Sequence, residues 1–490
     1  MAVAETFTGK AKTSELKSRD LRGWIAAVDR LGELKTLQGA DWDVELGAIT
    51  ELAHHQGEQS KALLFDNIKG YPAGYRVLSN TLSTRRRIAL TLCMDTSFSR
   101  PEFIKAIKRR ITEVQYVKPL VVKDGPVMEN VFEGQDIDMW KFPTPKWHEL
   151  DGGRYIGTGS VDITRDPDDG WVNLGTYRVM IHDRDTLGFY ISPGKQGRIM
   201  REKYFAKGQP CKVAVSFGQD PLLYLAGGME VPHGVSEYEW VGGLQGRPVE
   251  GIEGEYTGLP IPASAEIVIE GEAMPGEVRN EGPFGEWTGY YASSMRPEPI
   301  MKVKRLYHRH DPILLGAPPT RPPCEFNYMR CFVRSAMIWQ ELEAAGVPDV
   351  RGVWCHEAGG SRLLTIVSIK QRYPGHARQA GMVATYCHAA AYLGRYTIVV
   401  DDDIDPTNTN DVLWALTTRS NPEADIEIVR RSWSGPLDPI IPKGQKGHNS
   451  RAIIDACRPY EWMSEFPPVA ESSPEVRRAV QEKWGKILGE

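Results

Sequence analysis

Apolar residues at Leu21, Trp24, Ile25, Val28 and Leu31 follow the polar start signal "SRD" at spacings of three and four, which predicts an amphipathic helix. "ALLFDNIKGYP" and "YRVLSN" then read as short buried strands separated by turn residues, and "RPEFIKAIKRRITEV" as a further helix. From about residue 120 to 320 the pattern changes to a succession of β runs: "YIGTGSVDITRD", "WVNLGTYRVMIHD", "TLGFYIS", "KVAVSFG", "AEIVIEGE" and "PIMKVKRLYHR". Gly, Pro and Asp turns break these runs, and strands at this density predict a barrel or sandwich with some helix inserted. After "APPTRPPCEFNYM" strands alternate with helices ("SRLLTIVSIK", "QAGMVATYCHAAAYLG", "YTIVVDDDID", "NDVLWALTTR", "ADIEIV"), the pattern of a parallel sheet covered by helices. The tail "SSPEVRRAVQEKWGKIL" has a serine cap followed by Pro and Glu and predicts a helix that docks on a neighbour or partner subunit.

At 490 residues the chain is too long for one hydrophobic core, so two or three domains are expected. A net charge of -5 with 25% charged and 41% hydrophobic residues is that of an ordinary globular protein and argues against nucleic acid as a partner. The basic run "STRRRIAL" is short, and reads as a solvated helix start or a local phosphate contact. Seven cysteines, with no CxxC pair, suggest neither a disulfide framework nor a zinc site, which favours a reducing cytoplasm. Neither a signal-peptide core nor an apolar window of the ~18 residues needed to span a bilayer is visible, so no membrane role is expected.

Within the β region, "NEGPFGEWTGYY" places Glu281 and Glu286 five positions apart among glycine, proline and aromatic residues. Glycine and proline set a tight, non-repeating path, and aromatic walls raise the pKa of an enclosed acid. A solvated surface turn would explain the same letters. Arg178, in "VNLGTYRVMIHD", lies in a segment patterned for burial and therefore needs an acid partner or an anionic ligand. Paired with Glu281 and Glu286 it would offer a fork for a carboxylate beside an acid suited to proton transfer; a structural ion pair between strands is the plainer alternative. Asn173, with Glu237 in "HGVSEYEW", offers oxygen ligands for a hard cation such as Mg²⁺ or Mn²⁺. Gly227 and Gly228 in "LAGGMEVPHG" would let a cofactor approach the backbone, or form an ordinary bulge. Neither GxGxxG nor GxxxxGK[ST] occurs. Cys355 and His356 are neighbours, and neighbours in a strand face opposite ways, which disfavours a nucleophile pair.

These residues and the motifs "FDNIKGYP", "VNLGTYRVM", "AEIVIEGE", "NEGPFGEWTGYY", "SIKQRYPGHARQ" and "VVDDDIDPTNTNDVLWALTTR" together resemble the UbiD-type reversible decarboxylases that use prenylated FMN. The resemblance covers nearly the whole chain. It implies an N-terminal α/β domain (1–118), a central split β-barrel like that of flavin reductases (119–322), a C-terminal α/β dimerisation domain (323–465) and a tail helix (466–490). It also implies a Glu-Arg-Glu network in which Glu281 protonates the carbon vacated by CO₂, Arg178 binds the substrate carboxylate and the cofactor edge, and Glu286 holds Arg178. Asn173 and Glu237 match metal ligands at the cofactor phosphate, Gly175, Thr176, Tyr177, Gly228 and Met229 match loops lining the flavin, and Arg395 falls near a phosphate contact. Potassium is a further candidate ion.

One departure stands out. Where related enzymes carry a histidine ligand the chain reads "PGKQGRIM", so either Gln196 coordinates through its amide oxygen, or Lys195, which has no lone pair when protonated, supplies charge to the phosphate and the metal is weak or absent. The chemistry needs the cofactor, because loss of CO₂ from an sp² carbon leaves a carbanion no side chain can stabilise; in the family the flavin forms a covalent adduct with the substrate. The pocket wall is expected from "TRPPCEFNYM" (Cys324, Phe326, Asn327, Tyr328) and "WSGPLDP" (Trp433, Leu437), which suits an aromatic or heteroaromatic acid, with indole, pyrrole, hydroxybenzoate and acrylic acids all open. Implied partners are that acid and CO₂, a flavin prenyltransferase as cofactor supplier, and further copies of the chain as a dimer or hexamer. A flavin oxidoreductase and a non-catalytic cofactor-binding subunit are the competing readings.

Overall fold

The computed structural model describes residues 20–435, 437–442 and 447–488. The opening helix forms over Leu21–Arg30, capped by Asp20, whose side chain accepts from Gly23 N, and it buries Leu21, Trp24, Ala27 and Val28. It lies beside a four-stranded sheet of Leu34–Gln38, Ala62–Asp66, Arg76–Ser79 and Ile313–Gly316. The last strand returns from far along the chain to pair in parallel with Arg76–Ser79, so the first sheet is completed only after the central β region has been made.

The central region is a curled ten-stranded sheet, built around the long strand Arg296–His308. Tyr155–Gly157, Val179–Asp183 and Thr186–Gly188 lie on one side of it, and Ile267–Ala273, Cys211–Ser216, Val161–Arg165 and Val172–Gly175 on the other. Val278–Glu281 also pairs with it, setting Glu281 opposite Arg296. Inserted helices Gln196–Ala206, Pro221–Gly227 and Glu237–Gln245 cover the end that carries Val172–Gly175.

The third sheet runs Val350–Cys355, Leu364–Ile369, Tyr396–Asp401, His448–Ala456, Ile426–Trp433. It is mixed, not parallel throughout as the alternating pattern predicts: only the two inner pairings are parallel, and both edge pairings are antiparallel. Repeated βα alternation specifies crossovers but not the sense of an added edge strand. The segment after "APPTRPP" becomes a 20-residue helix, Glu325–Ala344, buried along most of its length between this sheet and the helix Arg100–Glu113. The tail forms a helix over Pro474–Leu488 that leaves Val476, Val480 and Trp484 exposed.

The run "STRRRIAL" does start a helix, Arg85–Thr91 capped by Thr84, with Arg85 and Arg86 half-buried, but its third arginine does not face water. Arg87 is fully buried and donates to the Glu33 carboxylate (3.0 Å) and to the carbonyls of Ser60, Asn80 and Thr81. A contiguous basic run hides the difference between a cation that faces water and one that ties strand ends together. Arg87→Met should cost about 3 kcal/mol, the low end for breaking a buried pair because Arg86 still meets Glu33. Chemical denaturation checks this, and an unchanged midpoint would mean that the cation is not structural.

Candidate active site

Arg178 lies between the strands Val172–Gly175 and Val179–Asp183, directly before the second, and forms a bridge to Tyr190, which brings the guanidinium over the Tyr190 ring at 4.1 Å. Its Nε and Nη2 donate to the two oxygens of Glu281 at 2.9 and 2.8 Å, a bidentate fork, and its Nη1 donates to Glu286 at 2.6 Å. All three side chains are buried. One cation facing two carboxylates leaves a net negative charge in a low-dielectric site, and the pKa shifts follow from it. Burial alone would lower the Arg178 guanidinium, but Glu286 and then Glu281 outweigh it and hold it above the usual arginine value. Burial pushes the Glu286 carboxyl up to about 6 against the pull of Arg178, and Glu281 adds to the rise.

The loop that presents Glu286 is held from outside. Asp151 accepts from Tyr291 OH (3.0 Å) and from Gly285 N (3.4 Å), Gly152 N donates to Pro283 O, and the rings of Phe284 and Tyr155 lie 4.1 Å apart. A Cβ at Gly152 would lie 2.0 Å from the Gly282 carbonyl, so only glycine fits beneath the loop. Sequence reasoning missed Tyr190 and Asp151. Tyr190 reads as an ordinary strand residue in "GFYIS", and Asp151 as one more polar letter before a Gly-Gly turn.

Asn173 and Glu237 meet at the sheet edge, where Asn173 Nδ2 donates to Glu237 at 3.1 Å and Leu174 N donates to its other oxygen at 2.7 Å. Burial lifts the Glu237 carboxyl to about 8, opposed by the N–H of Leu174 and by Asn173. Asn173 Oδ1 and Thr176 Oγ1 are buried without a hydrogen-bond partner among the described residues. Beside them Thr176 N donates to Gly227 O, and a Cβ at Gly228 would come within 3.0 Å of Met329. A Cβ at Gly175 would strike the Tyr177 ring, whose hydroxyl accepts from Gly197 N. Unpaired buried oxygens beside glycine backbone fit a polar, flat ligand with a cation at its anionic end. No group of three or more His, Cys, Asp and Glu suited to a metal occurs among the described residues. Lys195 and Gln196 stand at the start of the helix Gln196–Ala206. Burial lowers the Lys195 ammonium to about 7; Glu230 opposes the fall, while Arg330, Arg362 and Arg334 add to it.

Leu437 joins Trp287 and Leu393 in a small apolar cluster with Phe326 and Tyr392 packed on it, so the central loop and the third region meet directly after Glu286. Asn327 donates to Trp287 O (2.8 Å) and to Cys324 Sγ, which commits its amide N–H groups to the loop. Tyr328 turns to Glu58 of the first region, Arg395 pairs with Asp438, and the Trp433 ring lies tilted against Tyr392 with centroids 4.7 Å apart. Cys355 is buried at a strand end, and His356 accepts from Ala358 N to cap the following turn.

Models of the N-terminal, Rift-related central and C-terminal domains of 3-octaprenyl-4-hydroxybenzoate carboxy-lyase, UbiD, match residues 25–107, 120–322 and 327–456. The chain is 32% identical over 486 residues to the pyrrole-2-carboxylic acid decarboxylase of Pseudomonas aeruginosa, covering 95% of this chain and 97% of the other. The chain belongs to the UbiD family of carboxy-lyases. Another UbiD relative, the phenolic acid decarboxylase of Bacillus subtilis, is 34% identical across 90% of this chain and 93% of its own. Among solved structures, Sedimentibacter hydroxybenzoicus vanillic acid decarboxylase in open form superposes with a TM-score of 0.83 at 30% identity, over 96% of this chain and 100% of that one. The UbiD-class enzyme HmfF from Pelotomaculum thermopropionicum, in complex with FMN, gives 0.81 at 28% identity over 94% and 98%. The mixed architecture expected from the sequence, with a curled central sheet and a terminal helix, is that of these UbiD-class structures.

Because Glu286 takes up a proton more readily in the folded protein than its ordinary carboxylate value allows, its contribution to stability is full below about pH 4.5 and is lost as pH rises through about 6. Glu286→Gln removes that loss. The stability of the variant relative to the parent should therefore rise between pH 4.5 and 6.5, as read by thermal melts; a constant difference would put the Glu286 titration elsewhere.

Proposed function

We propose that this UbiD-family enzyme is a non-oxidative, reversible decarboxylase of an aromatic or heteroaromatic carboxylic acid. The observation that carries the reading is Arg178 forked on Glu281 and tied to Glu286 in one buried site. The relatives named for pyrrole-2-carboxylic, phenolic and vanillic acids support an aromatic acid as substrate.

Prenylated FMN, when bound, supplies the electron sink that side chains lack. Gly175, Thr176, Tyr177, Gly228 and Met229 would line its ring, and Asn173 with Glu237 would hold a divalent cation, Mn²⁺ or Mg²⁺, at its phosphate. Arg178 orients the substrate carboxylate, and Glu286 keeps the guanidinium in place as Glu281 releases its half of the fork. Freed from the fork, Glu281 takes up one proton from solvent before the site closes and delivers it to the vacated carbon, one proton for each CO₂ released. Closure of Trp287, Phe326 and Leu437 over the ring of the acid excludes water, so that the exchangeable proton comes from Glu281. A homo-oligomer built through the third region completes the proposal.

Glu281→Gln should lower turnover of the flavin-loaded enzyme by at least ~10²-fold while flavin content stays intact. Turnover in D₂O should place deuterium at the vacated carbon. Full activity in the variant, or product without deuterium, would remove Glu281 from the role.

A further inference from the structure

A second group of charges lies apart from the Arg178 site. Glu230, directly after Met229, pairs with Arg330 (2.9 Å), Arg334 (2.7 Å) and Arg362 (2.6 Å), and these are the ion pairs those arginines make among the described residues. Arg330, Arg334 and Arg362 are each at least nine-tenths buried, and Lys195 adds a fourth cation to the field of Glu230. A cluster built only for the fold would be expected to balance its charge, because each unneutralised buried ion costs several kcal/mol. Here one carboxylate serves four cations. The Nε groups of Arg330 and Arg334 are also buried without a hydrogen-bond partner.

The position of the cluster says what it faces. Arg330 and Arg334 rise from the helix Glu325–Ala344, one and two turns beyond Phe326, and the Arg330 guanidinium lies 4.8 Å from the Phe326 ring. Arg362 lies 5.9 Å from the Tyr392 ring. It follows Gly360, where a Cβ would come 2.6 Å from the Trp287 ring. Phe326 and Tyr392 pack on the apolar cluster of Trp287, Leu393 and Leu437, and Trp287 is the residue after Glu286. One apolar patch thus has the decarboxylation site at one residue's remove and guanidiniums over its rings.

We propose that Arg330, Arg334 and Arg362 form a second oxyanion site, and that the substrate is an aromatic dicarboxylate: Arg178 takes the carboxylate that is lost, and the cluster takes the one that stays. Glu230 keeps the arginines gathered when the site is empty. A cofactor phosphate offers the same chemistry, but the pairing of the cluster with Phe326, Tyr392 and Trp287 favours the substrate. The proposal rests on the decarboxylase reading, and its test is separable from that reading because it measures binding.

Equilibrium binding of benzoate and of the three benzenedicarboxylates to the flavin-loaded full chain is the test. At least one dicarboxylate should bind ~10-fold or more tightly than benzoate, the scale of one charge-assisted contact. Arg334→Met should abolish that advantage and leave FMN affinity within about twofold. Equal affinity of all four acids for the unaltered protein would overturn the proposal without recourse to any variant. Arg334→Met weakening FMN but not riboflavin, with the acid ratio unchanged, would overturn it in favour of the phosphate. Tight dicarboxylate binding by a flavin-loaded chain that releases no CO₂ from any carboxyl-labelled aromatic acid would uphold the anion site and refute the decarboxylase reading.

Discussion

Arg178 cannot give up its charge, and the fold keeps it out of water between two carboxylates. Everything around the site serves that constraint. The long strand Arg296–His308 fixes Glu281 by register, the bridge to Tyr190 fixes Arg178, and Asp151 with Gly152 fixes the loop that brings Glu286 back to the same guanidinium. If the loop slipped, a buried cation would lose one carboxylate and a buried acid would lose its cation, a loss on the scale of several kcal/mol. The positions of three side chains are thereby coupled, and the site is organised before any ligand arrives.

The same physics divides the charged groups into two kinds. At Arg178 the carboxylates outnumber the cation, which suits a place where a proton must be kept and released. Around Glu230 the cations outnumber the acid, which suits a place where an anion is held and left unchanged. The apolar residues Trp287, Phe326 and Leu437 lie beside both, and their composition is that of a surface for a flat ring.

Much of this was legible in the sequence where local pattern carries the information. The opening helix, the strand runs of the central region and the tail helix follow from period and capping, and the acids in a Gly/Pro/aromatic loop mark that loop as unusual. Long-range pairing was not legible. Nothing local distinguishes Arg87, a buried tie between strand ends, from the half-buried Arg85 and Arg86 beside it in "STRRR". No spacing announces that Ile313–Gly316 returns to the first sheet or that the edges of the third sheet run antiparallel. The arginines around Glu230 lie 100, 104 and 132 residues along the chain from it and become a cluster only when the helix Glu325–Ala344 packs against the glycine-rich loop. Asn327 and Tyr328 read as pocket residues by composition, yet their hydrogen bonds run to the Trp287 carbonyl and to Glu58.

The central claim is that a guanidinium of fixed shape, not merely a positive charge, sets up decarboxylation. Lysine can replace the charge of Arg178 but cannot span both oxygens of Glu281 while reaching Glu286. The decisive measurement is release of ¹³CO₂ from carboxyl-labelled aromatic acids by flavin-loaded protein, comparing the unaltered chain with Arg178→Lys at matched flavin content. The unaltered chain should release label and the variant at least ~10²-fold less; release by Arg178→Lys at a similar rate would mean that charge alone suffices.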